Sequence, residues 1–80
     1  MPTVLRHGPY RFFFYSNEGL EPAHIHVERD RAHAKFWLTP VSLARSSGFA
    51  ARELRRIQLI VVEHRDLFSG SWHEYFGAND

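Results

Sequence analysis

"HIHVERDRAHAKFWL", residues 24–38, decides the fold. Residues 24–29 alternate apolar and polar side chains, residues 32–38 do the same, and Asp30-Arg31 stands between them. Folding the two runs back on each other about that joint pairs Glu28 with His33, His26 with Lys35 and His24 with Trp37 on one face. The other face then pairs Val27 with Ala34, Ile25 with Phe36 and Ala23 with Leu38. A slip of one residue would mix the two sets, so the apolar pattern specifies the register of this hairpin.

Upstream, "YRFFFYS" (10–16) reads as a short aromatic strand and the turn-rich "NEGLEP" (17–22) as a loop. Downstream, Thr39-Pro40 turns the chain, "VSLARS" (41–46) is the optional fourth strand, and Ser47-Gly48 ends it. From Ala50 the period changes. Leu54, Ile57, Val61, His64, Phe68, Trp72 and Tyr75 recur at helical spacing, and Ile60, Leu67 and Phe76 widen the stripe. The spacing predicts a helix over 50–76, with Ser69-Gly70 as its weak point, since glycine costs about 1 kcal/mol relative to alanine. The expected architecture is a single α+β domain: a three- or four-stranded antiparallel β-meander packed against a long C-terminal helix.

An unbroken helix of that length would run about 40 Å. The radius of gyration of so short a chain should be only about 12 Å. Either the helix breaks at Ser69-Gly70, or its aromatic end overhangs the sheet. An overhanging Trp72, Tyr75 and Phe76 would need a covering surface from a second copy or another protein.

The chain has 80 residues and no cysteine, which excludes disulfides and cysteine zinc sites. A domain of this size is marginally stable and needs packing, a partner or a histidine/carboxylate metal site. Seven Phe, three Tyr and two Trp point to packing. A formal charge of +1 argues against a dedicated nucleic-acid binder, though it leaves room for a local patch. There is no 18-residue apolar run, and the N-terminus lacks the apolar core of a signal peptide. The cytoplasm is the expected location, with no membrane partner.

"GPYRFFFYSNEG", "EPAHIHVERD", "AKFWLTPVSLA" and "ARELRRIQLIVVEHRD" together resemble the bacterial family catalogued as domain of unknown function 4160. The most specific pieces are Pro22, His24 and His26, spaced Pro-x-His-x-His, and "EHRD" at 63–66. The resemblance implies an antiparallel sheet followed by a C-terminal helix, and it carries no established enzymatic activity. It also implies a setting like that of two-gene toxin–antitoxin modules, and hence a cognate small-protein partner. Two departures stand out: Ala50 where a serine would form a capping box with Glu53, and "LFSGS" (67–71) in place of a strongly helical stretch.

The histidine face of the hairpin is the first candidate site. His24, His26, His33 and Lys35 could supply acid–base chemistry, one imidazole neutral and one protonated, with the lysine steadying charge in metal-free RNA cleavage. Alternatively, His24 and His26 bind a divalent metal such as zinc, with Glu28 or His33 completing an open site. The bland reading is a solvated sheet face whose histidines hydrogen-bond locally, and no cofactor. Arg52 and Arg56, one helical turn apart, with Arg45 nearby, form a candidate phosphate or RNA grip. Arginines near a helix N-terminus oppose its dipole, so stability does not explain them. His64, on the apolar stripe, reads as a satisfied core residue. Tyr10, Phe12 and Phe14 face one side of the sheet, and Phe13 and Tyr15 the other. One helix buries only one side, so Phe13 and Tyr15, with Trp72, Tyr75 and Phe76, are the expected interface to the cognate protein or to a second copy in a homodimer.

Overall fold

Residues 3–77 are described by the computed structural model of the chain. The chain forms β1 (Thr3–His7), β2 (Tyr10–Phe13), β3 (His24–Arg29), β4 (Ala32–Leu38), β5 (Val41–Ser47), α1 (Ala51–Glu63) and α2 (Arg65–Phe76). The strands make one antiparallel sheet in the order β1-β2-β3-β4-β5. The central hairpin has the register expected from its apolar pattern: His24 opposite Trp37, His26 opposite Lys35 and Glu28 opposite His33. Asp30 takes φ of 55° at the joint, a conformation Asp tolerates better than most residues.

The sheet has five strands rather than three or four. β1 pairs with β2 across Gly8-Pro9, where Gly8 supplies φ of 59°. Its sequence, "TVLRH", alternates too weakly to announce a strand, and its pairing is what holds it. β2 ends at Phe13, not at residue 16. The chain leaves the sheet there because Phe14 turns under α2, against Trp72, Tyr75 and Phe76. β5 does form, with Arg45 opposite Lys35 and an irregularity between Lys35 and Phe36.

The long helix is two helices. The break falls at His64, where φ is −109°, and α2 runs unbroken through Ser69-Gly70. Two contacts place it there. His64 Nδ1 donates to the Ile60 carbonyl at 2.9 Å, sharing that acceptor with the His64 amide at 3.0 Å in the last turn of α1. Arg65 donates to the Leu38 carbonyl at 2.8 Å and to Thr39 Oγ1 at 3.2 Å, tying the bend to the end of β4. The bend also settles the length problem: the radius of gyration is 11.8 Å.

Both helices cover the apolar face. Phe12, Ile25, Val27, Ala34, Phe36 and Leu38 pack there against Ile57, Ile60, Val61, Phe68 and Trp72. Glu53 on the first turn of α1 takes a two-pronged grip from Arg29, at 2.8 and 2.9 Å, and accepts from the Tyr10 hydroxyl at 2.8 Å. Ala50 makes no side-chain cap, so this clasp, not a capping box, anchors the helix start. Gly48, at φ of 89°, lies against the Ala32 backbone, where a β-carbon would come within 3.0 Å.

Candidate metal centre

The opposite face is not a solvated surface. His24 and His26 are 0% exposed, and Lys35 and Phe13 are buried as well. The cover is residues 14–23, the loop after β2. It folds back over the hairpin so that Tyr15 meets the His26 ring edge-on, Glu18 reaches both histidines, and Glu21 pairs with Lys35 at 2.6 Å. Two turns shape the loop, with the Glu18 amide donating to the Tyr15 carbonyl and the Glu21 amide to the Glu18 carbonyl. Its far side is wedged against α2 through Gly19 and Phe76.

Glu18, His24 and His26 offer three donor atoms within 4.8 Å of one another. His24 Nδ1 lies 2.8 Å from the Pro22 carbonyl, which can only accept, so Nδ1 carries a proton. A neutral His24 therefore presents a lone pair at Nε2. That atom is 2.9 Å from Glu18 Oε1 but out of hydrogen-bond geometry, a buried polar atom with no hydrogen-bond partner. Lone pair faces lone pair unless positive charge, a proton or a metal ion, lies between them. His26 Nε2 stands 3.0 and 2.9 Å from the two carboxylate oxygens, while its Nδ1 stands 3.0 Å from His33 Nε2. One tautomer donates to Glu18; the other donates to His33 and frees Nε2.

The electrostatics favour an ionised Glu18 and a neutral His26. Burial pushes the Glu18 carboxyl up, but the His24 and His26 imidazoles and the Tyr15 amide outweigh it and hold it below the usual carboxylate range. Burial holds His26 below the ordinary histidine value despite Glu18. Burial, then the nearby Arg45 charge, does the same for His33. An ionised carboxylate beside a neutral His26 supplies two of the three donors in the state that binds metal.

Glu28, expected as third donor, pairs with Arg11 at 3.0 Å; Glu18 takes the place beside the histidines. His24 and His26, two apart on β3, meet at one carboxylate that comes down from the loop between their Nε2 atoms. Lys35 is held by Glu21 and sits over the Trp37 ring, 4.5 Å from its centroid. Arg45 opposes Lys35 on the histidine side, whereas Arg52 and Arg56 are on α1, across the sheet. The three arginines therefore do not form one grip. Phe13 is buried against His26, and Trp72 lies against His24, their ring centroids 4.6 Å apart. Phe76 is half-buried, its ring against Gly19 of the chain's own loop. Tyr15 and Tyr75 remain exposed, Tyr75 at 50%.

The sequence profile of the family described as "Domain of unknown function (DUF4160)" matches residues 10–73. The chain belongs to the DUF4160 family. The matched span holds β2 to β5, all of α1 and most of α2, together with all three donors of the candidate centre. Among curated proteins and among solved structures, nothing matches this DUF4160 chain. No helix among its described residues is long and apolar enough to cross a membrane.

Proposed function

We propose that this DUF4160 domain is a metal-binding module whose centre is Glu18, His24 and His26, taking a divalent first-row transition ion such as zinc. The observation that carries this reading is His24 Nε2, buried and unpartnered beside a carboxylate oxygen, in a cluster whose other atoms already have ligand chemistry. Two neutral imidazoles and one carboxylate are a donor set that suits zinc and its neighbours. The outer contacts fit as well. The Pro22 carbonyl takes the far proton of His24, and His33 takes that of His26, as ligating histidines require to fix their tautomer. Glu18, His24 and His26 would hold the ion, whose positive charge would lie where the Glu18 carboxylate now faces the two Nε2 atoms.

Such an ion ties the loop of residues 14–23 to β3, which is the staple a small cysteine-free domain lacks. Burial under Tyr15, Phe13, Trp37 and Trp72 supports a structural or sensing role over hydrolysis. The sheet separates the histidine face from Arg52 and Arg56, which favours a protein partner over RNA. A cognate small protein, as in toxin–antitoxin-like pairs, is that partner in this reading.

The test is elemental analysis of untagged protein purified without chelators. About one zinc-class ion per chain is expected, lost in Glu18→Gln and in His24→Ala, with circular dichroism confirming that each variant folds. Metal-free protein that also fails to take up zinc in a competition titration sinks the reading.

A further inference from the structure

We infer that the outward face of α1 is a self-association surface on which a second copy of this chain docks antiparallel. The face lies across the sheet from the candidate metal centre and does not depend on it. Leu59 is 68% exposed and Val62 52% exposed, large apolar side chains on a helix whose inner face is already satisfied by Ile57, Ile60 and Val61.

Two features say what covers them. The first is shape. Arg55, Gln58, Leu59 and Val62 surround a hollow of about 360 Å³. Their spacing of three, four and seven residues is the four-cornered hole into which a knob from a facing helix fits. Beside it, a wider hollow of about 600 Å³ runs between Leu59, Val62 and the β1–β2 turn, giving the opposing side chain room to settle.

The second feature is charge. Leu59 is equidistant in sequence from Arg55 and Glu63. An antiparallel two-fold through Leu59 therefore sets Leu59 of one copy in the hole of the other. Arg55 then faces Glu63 of the second copy, and Glu63 faces its Arg55. Both are exposed, and among the described residues neither has an ion-pair partner. The helix is basic toward its start and acidic at its end, so this face complements itself only in the antiparallel sense. An isologous contact of this kind closes on itself as a dimer. One helix face is a small interface, at the weak end of specific association.

Sedimentation equilibrium of the full chain, from micromolar to millimolar, reads this directly. A reversible dimer is expected, weakened by high salt. Glu63→Arg alone should raise the dissociation constant about tenfold, because both symmetric pairs are lost and arginine faces arginine in their place. Arg55→Glu combined with Glu63→Arg should restore it, and Leu59→Asp should abolish it. A chain that stays monomeric throughout overturns the proposal. So does a dimer indifferent to Leu59→Asp, or one that the double reversal fails to restore. Each substituted residue is exposed, so the fold is not at stake.

Discussion

Gly19 lies so close beneath the Phe76 ring that a β-carbon there would come within 2.6 Å of Cδ1. The contact joins the last turn of α2 to the loop that carries Glu18, one residue away. Position of the carboxylate and packing of the aromatic helix end are therefore one problem, solved by the absence of a side chain.

Gly19→Ala should cost about 1 kcal/mol, the low end for overpacking, since the half-exposed Phe76 ring can swing aside. Because the loop must shift with it, metal affinity should fall while stoichiometry stays the same. Thermal melts and a chelator competition measure the two effects. An unchanged melt and affinity would mean the loop is not held from this side.

His33→Ala addresses the outer contacts of the centre. The imidazole accepts from His26 Nδ1 only in the tautomer that frees Nε2 for a ligand. Removing such a partner lowers metal affinity about 10- to 100-fold in comparable sites. The same loss is expected here, with one ion still bound per chain at saturation. The readout is a chelator competition at fixed pH, comparing His33→Ala with His33→Gln, whose amide can still accept.

The hairpin and its register were legible in the alternation of residues 24–38, because period-two patterning leaves only one register that sorts apolar from polar. That the histidine face is covered as well was not, since its cover is the loop of residues 14–23. β1 was not, since Thr3–His7 has too little alternation of its own and depends on a neighbour the local sequence does not display. The break at His64 was hidden for a related reason. Ser69 and Gly70 are the weak formers, yet the bend falls where His64 Nδ1 draws on the Ile60 carbonyl, a local contact, and where Arg65 reaches the end of β4, a tertiary one. At the site, spacing located His24 and His26 but proposed Glu28 as the third donor. Glu18 sits in a loop whose path no periodicity describes. The signal that was available is a pair of acidic residues, Glu18 and Glu21, in a turn-rich segment directly before the histidine row.

Phe13 separates a core role from an interface role. It is buried, stacks on His26 and lies under the Arg11 guanidinium, 4.3 Å from the ring centroid. Phe13→Ala should cost about 3–5 kcal/mol. That is much of the stability of a small domain, so a large unfolded fraction is expected without metal. Saturating zinc should recover part of the loss, about 2.7 kcal/mol at a hundredfold excess over the dissociation constant. Denaturant melts with and without zinc test both statements. A mild loss would return Phe13 to the list of surface contacts.

Glu53 gives the pH dependence. Hydrogen bonds from Arg29 and then Tyr10 hold its carboxyl below the usual value of 4.5 in the folded chain. The folded group ionises more readily than the unfolded one, so the unfolded state binds more protons across that interval. Its contribution is therefore fully present above about pH 4.5 and lost as the pH falls through the lower folded value. In Glu53→Gln the amide cannot titrate. The variant should be less stable than the parent at pH 7, and the gap should close on acidification below 4.5. Paired thermal melts across that range measure the gap, and cancel the other carboxylates common to both proteins. A gap that stays constant with pH would mean the Arg29 clasp does not depend on the carboxylate charge.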